Sequence, residues 1–271
     1  MSSYQENQSY NLELHFLLDH LIELVWPTRC IVCDTSGKLL CDNCRQKLKW
    51  IQQRYACPIC GTPHGWLTCT NCGAEALRER RVQKNSETNG ELAPYHWEAR
   101  TTISALEFSG SGALLVTTLK DSHELRLAPI IAAVIATALD EAASWTAADG
   151  CARYDFQKLD GICFVPASPS AFLRRGFDHM ELISQALAAL LGLPVCDVLL
   201  RHESRDQREL DRQSRLRNLE GSVEVIDDVA GARLLLVDDV ITTGATLRES
   251  TRVLLERGAE SVTACSLARA W

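Results

Sequence analysis

LLLVDDVITTGATLRES, residues 234–250, compresses a strand, a turn and the start of a helix into one segment, and the fold follows from it. Leu234–Val237 is an apolar run of strand length that ends in two carboxylates, Asp238 and Asp239. Thr242, Thr243, Gly244, Ala245 and Thr246 follow as small residues around one glycine, and a helical pattern begins at Thr246. In an open α/β sheet, ligands bind outside the carboxyl ends of the strands. A turn of small residues there presents backbone N–H groups at a helix N-terminus, which suits a phosphate. Phosphate repels the adjacent carboxylates, so these suit sugar hydroxyls or a metal ion. A ribose 5-phosphate carries both kinds of group. The Walker B strand of NTPases also ends in acidic residues, but no GxxxxGK[ST] loop accompanies it here.

Outward from this segment, strand and helix patterns alternate. Ile162–Val165 reads as a short buried strand and Met180–Leu191 as an amphipathic helix stopped by Gly192. Thr246–Glu256 reads as a helix closed by Arg257-Gly258, and Ser261–Leu267 as a last strand. Upstream, Ile103–Leu119 is mixed and Leu125–Leu139 helical. This alternation predicts an α/β domain with a mainly parallel sheet and flanking helices.

The 271 residues are 46% hydrophobic and 23% charged, the balance of a globular chain. A net charge of -7 argues against a surface built for sequence-independent phosphate-backbone binding. The polar opening MSSYQENQSY lacks the features of an export signal. The apolar stretch at Leu125–Leu139, broken by Pro129, is too short to cross a bilayer. A cytoplasmic protein without a membrane partner is the expectation.

Eight of the twelve cysteines form four CxxC pairs, Cys30/Cys33, Cys41/Cys44, Cys57/Cys60 and Cys69/Cys72. The remaining four (Cys151, Cys163, Cys196, Cys265) are scattered and read as small buried residues. Clustered pairs in a chain without an export signal read as metal ligands. Zinc takes four thiolates in a closed structural site, so eight ligands make two Zn²⁺ sites. Serial pairing into two ribbons and a cross-braced pairing of first with third both fit the spacing, and iron–sulfur ligation is the chemical runner-up. A closed four-thiolate site holds no reactive water, so these sites are structural.

The expected division is an N-terminal helix over 1–27, carrying a stripe from Leu14 to Val25, then a double zinc ribbon over 28–77. A polar linker over 78–92 leads to the α/β domain, 93–271. Within Arg201–Arg217, arginines and acidic residues stand at i,i+4 spacing (Arg205/Glu209, Asp211/Arg215), which reads as an exposed helix laced with ion pairs. A mobile loop that closes over pyrophosphate or contacts a nucleic-acid backbone is the alternative.

Leu234–Thr246 closely resembles the phosphoribosyl-pyrophosphate (PRPP) signature of type I phosphoribosyltransferases. Leu119-Lys120, Val165-Pro166, Leu173-Arg174-Arg175-Gly176-Phe177-Asp178-His179, Arg201, Asp206-Gln207, Arg215 and Asn218 extend the likeness. With the CxxC-rich N-terminus, the chain resembles the ComF family from about Leu21 to Trp271, although the family usually shows RGFNQ where this chain has RGFDH. The resemblance implies a type I phosphoribosyltransferase-like fold and a PRPP site built from Val237, Asp238, Asp239, Val240, Thr242, Thr243, Gly244, Ala245 and Thr246. Asp238 and Asp239 would hold the ribose hydroxyls and serve catalysis, and Thr242–Thr246 would hold the 5′-phosphate. Arg174, Arg175 and Lys120 would serve the pyrophosphate, with Mg²⁺ on the leaving group. The family tie to competence implies a role in DNA uptake, with a helicase as partner. A non-catalytic adaptor or sensor whose ribbons bind a partner protein or single-stranded DNA is the competing reading.

Overall fold

The computed structural model describes residues 27–63, 69, 72, 98–145, 154–155, 158–203 and 221–271. The expected N-terminal helix, the 78–92 linker and most of the arginine-rich segment lie outside the described residues. Two compact units divide between Leu48 and Lys49, inside the segment expected to hold both ribbons.

In the first unit, Arg29 and Ser36 form an antiparallel bridge around the Cys30–Cys33 turn. Asp34 sits in the left-handed region at φ 61°, where short polar residues are tolerated, and Arg29 pairs with it at 2.8 Å. Cys41 precedes the single-turn helix α1 (Asp42–Gln46), and Cys44 is buried on it.

In the second unit, four parallel strands form one sheet: β1 (Thr101–Glu107), β2 (Gly161–Phe164), β5 (Arg233–Ile241) and β6 (Ser261–Arg269), in the order β1-β6-β5-β2. Central strand β5 is buried at every position from Leu234 to Val237, which explains its unbroken apolar run. Helix α2 (Gly110–Asp121) follows β1, and the apolar stretch expected to be one helix starts as a 3-10 turn, Leu125–Leu127, before α3 (Ala128–Ala143). Pro129 stands in the first turn of α3, where its missing N–H costs nothing. Helix α4 (Pro169–Arg175) follows β2, and α5 (His179–Leu191) ends on Gly192 in the left-handed conformation at φ 66°. Helix α5 packs on α3 and on β2.

A short antiparallel pair, β3 (Leu199–Arg201) and β4 (Val223–Val225), shares a core with β5 and with α6 (Ala245–Glu256). Arg201 therefore lies on a strand, and the ion-pair-laced helix expected from Arg201 does not begin there. The burial of Leu199 beside Val225 sets the path of Leu199–Arg201, and the i,i+4 charge pairs that pointed to a helix, Arg205/Glu209 and Asp211/Arg215, lie outside the described residues. No helix among the described residues is long and apolar enough to cross a membrane.

Candidate functional site

Strand β2 ends where Phe164 pairs with Val237, so β5 continues past its neighbour and opens a crevice at the carboxyl edge of the sheet. Asp238 and Asp239 are the next two residues of β5. Two adjoining cavities meet there, and both are lined by Arg201, Asp238, Val240 and Thr246.

The first, about 230 Å³, is walled by Thr242, Thr243, Gly244, Ala245 and Thr246 at the start of α6. Gly244 is the helix N-cap at φ 73°, a conformation that costs any residue with a Cβ roughly 1–2 kcal/mol. The loop between β5 and α6 is thereby turned back on the strand end, at the electropositive end of a three-turn helix.

The second cavity, about 200 Å³, lies over the end of β2 and is lined by Lys120 from α2, Ser168, Arg175 from α4, and His179 from α5. Its polar groups form a chain. Asp239 is buried and receives Lys120 and His179 Nε2, the latter at 2.6 Å, on the same oxygen, Oδ2. Arg175 Nη1 lies 3.4 Å from His179 Nδ1. A guanidinium only donates, so Nδ1 accepts, and the Nε2–H of His179 is the donor to Asp239. Arg175 Nε is buried and without a hydrogen-bond partner among the described residues, leaving a donor unspent beside the cavity.

The two carboxylates differ in charge. Burial and then the charge of Asp239 push the Asp238 carboxyl up to about 7. Burial acts in the same direction on Asp239, but the hydrogen bond from His179 and the charge of Lys120 outweigh it and hold this carboxyl well below the usual range. One strand end thus presents a firmly ionised carboxylate, doubly partnered on Oδ2, next to one that titrates near neutrality. Such separation marks paired carboxylates with separate tasks.

The structure brings Lys120, Arg175, Asp238, Asp239, Val240 and Thr242–Thr246 to one crevice, while Val237 is fully buried in β5 and lines neither cavity. Arg174 is exposed on α4 and lines neither cavity. Three polar residues of the site carried no role in the sequence reading. His179 occupies the position where the resemblance breaks. Arg201 was assigned to a helix. Asp178 caps α5 through Met180 N at 2.8 Å and holds Ala167 N, at the rim of the second cavity, at 2.7 Å; its N-cap role was legible from an Asp directly ahead of an apolar helical run.

The cysteines pair in series: Cys30, Cys33, Cys41 and Cys44 converge in the first unit, and Cys57, Cys60, Cys69 and Cys72 in the second, with all four sulfurs of each set within 4.8 Å of one another. The cross-braced pairing is excluded. Thiolates on one tetrahedral zinc at about 2.3 Å stand roughly 3.8 Å apart. Cys33 and Cys41 are 3.6 Å apart and Cys60 and Cys69 3.7 Å, so each set fits a single zinc ion and is too tight to enclose an iron–sulfur cluster.

A phosphoribosyl transferase domain model matches residues 173–270, and a double zinc ribbon model matches residues 21–82. The chain thus combines a phosphoribosyltransferase-type domain with an N-terminal double zinc ribbon. DNA utilization protein YhgH of Salmonella typhimurium is 29% identical over 254 residues, 91% of this chain and 99% of its own length. Competence protein ComFC of Bacillus subtilis is 27% identical (89% of this chain, 94% of that protein), and Competence protein F of Haemophilus influenzae 24% (89% and 97%). By domain content and by these relatives, the chain is similar to proteins of the ComF type.

Proposed function

We propose that the crevice binds Mg²⁺-PRPP and that the protein transfers its phosphoribosyl group. One observation carries this reading: a phosphate-sized loop cavity adjoins a second cationic cavity, and Asp238 stands between them. A 5′-phosphate fits the loop of Thr242–Thr246, the ribose hydroxyls fit Asp238 and Asp239, and the pyrophosphate fits the cavity bearing Lys120, Arg175 and Arg201. Mg²⁺, a hard cation that prefers oxygen ligands, would neutralise the pyrophosphate as it leaves.

Transfer breaks the bond between C1′ and the pyrophosphate oxygen, whose electron pair departs with pyrophosphate. A bond from C1′ to the acceptor forms with the acceptor's electron pair. Positive charge builds on the ribose ring in between, and nearby carboxylates stabilise it. Asp239, ionised and held by Lys120 and His179, supplies that field without moving. The relatives' names, DNA utilization protein and Competence protein, support a link to competence and DNA utilisation, and the zinc ribbons are read as the surface for a helicase partner or single-stranded DNA.

The enzymatic reading is tested by pyrophosphate release. Wild-type protein with Mg²⁺-PRPP and a panel of nucleobase and amine acceptors should release pyrophosphate, and Asp239→Asn should not. PRPP binding without release for any acceptor would favour the sensor reading.

A further inference from the structure

Helix α4, which carries Arg175 into the second cavity, is seven residues long and buries none of them. Apolar packing therefore does little to fix this arginine, and polar ties must do it. Two histidines from different elements supply them. His179, the first residue of α5, is 5% exposed, and its ring bridges two side chains of the site. Nε2–H donates to Asp239 Oδ2 at 2.6 Å, and Nδ1 accepts from Arg175 Nη1 at 3.4 Å. An imidazole does both only when neutral, because the protonated ring has two donors and no acceptor. The rigid ring fixes the two nitrogens relative to each other, so Asp239 on β5 sets where the guanidinium on α4 is held.

His123 holds the backbone of the same arginine. Its Nε2 lies 3.2 Å from the carbonyl oxygen of Arg175, and a carbonyl only accepts, so Nε2 donates. The ring also meets Phe177 edge to face, with centroids 5.5 Å apart. His123 adopts φ 57°, and among the described residues only Asp34 shares the left-handed region with it and the glycines. Few residues with a Cβ enter that region, and the two ring contacts offset its cost. His123 follows directly on α2, the helix that bears Lys120. The two cations of the second cavity are thus tied to each other through the protein.

We propose that His179 and His123 are positioning residues that preset Arg175 as the anion donor of the second cavity, with neutral His179 joining this arginine to Asp239 in one hydrogen-bonded unit. This rests on the pyrophosphate reading of that cavity. Arg175 Nε, buried and without a partner among the described residues, is the donor left for the ligand. A free arginine loses rotamer freedom when it grips an anion, and one already held loses less. Removing either histidine therefore weakens pyrophosphate binding without removing a contact to the ligand. Glutamine can replace His179, because its amide donates through nitrogen and accepts through oxygen, whereas methionine does neither.

The test is a double-mutant cycle, read by calorimetric titration of Mg²⁺-pyrophosphate into the full zinc-loaded chain. His179→Met should weaken binding about tenfold, and Arg175→Met by at least as much. The double variant should bind within roughly twofold of Arg175→Met alone, because the histidine acts through the arginine. His179→Gln should recover most of what His179→Met loses. His123→Ala should weaken binding about threefold in the wild-type background and not at all beside Arg175→Met. In wild-type protein, ¹⁵N NMR of the ring assigned to His179 should show a neutral imidazole protonated at Nε2. Losses that add in the double variant, or a His179→Met protein that binds as tightly as wild type, overturn the positioning role and leave the pyrophosphate reading standing. Wild type that binds no Mg²⁺-pyrophosphate overturns both together. A His179 ring protonated at Nδ1 also overturns the bridge, and that measurement decides alone if His179→Met does not fold.

Discussion

The two cysteine sets have the same ligands and nearly the same spacing, seven residues between Cys33 and Cys41 and eight between Cys60 and Cys69, yet they sit in different surroundings. In the first, Cys33 is exposed and the neighbouring pairs Arg29–Asp34 and Lys38–Asp42 are on the surface. In the second, Cys57, Cys60 and Cys72 are buried, and the turn between Cys57 and Cys60 hydrogen-bonds to β1. Equal metal chemistry therefore carries unequal structural weight. A zinc site stabilises whatever cannot hold its shape without the metal: in the first unit its own loops, in the second the margin of the sheet.

The largest test of that difference is the loss of one thiolate. Cys60→Ser should lower the stability of the second unit by on the order of 5 kcal/mol in differential scanning calorimetry. Cys33→Ser should leave the main transition in place. Equal shifts would mean that both sets support the same cooperative unit.

The contrast between integrated and free-standing residues extends to ion pairs. Lys120→Met strands the buried Asp239 with His179 alone and should cost about 3 kcal/mol in denaturant unfolding. Lys49→Met removes a partner of Glu107 at 3.9 Å, on a side chain 63% exposed. Its cost should stay below about 0.5 kcal/mol.

Titration separates the carboxylates in the same way. The folded protein keeps the Asp238 proton up to about pH 7, whereas an unfolded chain releases it near pH 4. Asp238 thus favours the fold below about pH 4, and that stability is lost as pH rises through 7. Asp238→Asn should match wild type near pH 4 and exceed it at pH 8 by on the order of 1 kcal/mol, a figure reduced for the water that reaches the crevice. Asp160 behaves oppositely. Its hydrogen bonds from the Arg233 side chain and backbone lower it to about 2, so its contribution is present above pH 4 and lost as pH falls through 2. Melting temperatures from pH 2 to 8 distinguish the two signs.

The smallest effects separate two adjacent arginines. Arg174→Ala should change stability by less than about 0.5 kcal/mol and leave PRPP affinity unchanged. Arg175→Ala should weaken PRPP binding about tenfold or more, the loss of one charge-assisted contact.

Much of this arrangement was legible in residue order. The Leu234–Val237 run, the helix behind it and the stop at Gly192 depend on local burial period and on one left-handed glycine, and both leave local traces. The eight cysteines declared two metal sites because spacing within a pair is a local matter. Pairing between sets was not readable, since both arrangements satisfy the same spacing. The roles of His179 and Arg201 were hidden for a related reason. His179 meets Asp239 across 60 residues, and the contact has no periodic signature. Arg201 was placed at the start of a helix because it opens an arginine-rich run, whereas the burial that makes Leu199–Arg201 a strand depends on Val223–Val225, over twenty residues away. Local rules find elements and loops; they do not find the side chains that tie one loop to another.

The most direct measurement is calorimetric titration of Mg²⁺-PRPP into the zinc-loaded protein and into Asp238→Asn/Asp239→Asn. Saturable one-to-one binding by the wild type, lost in the double variant while its fold and both zincs persist, is the predicted result. Wild-type protein that is folded and zinc-loaded but takes up no PRPP would contradict the central claim, and the crevice at the end of β5 would need another ligand.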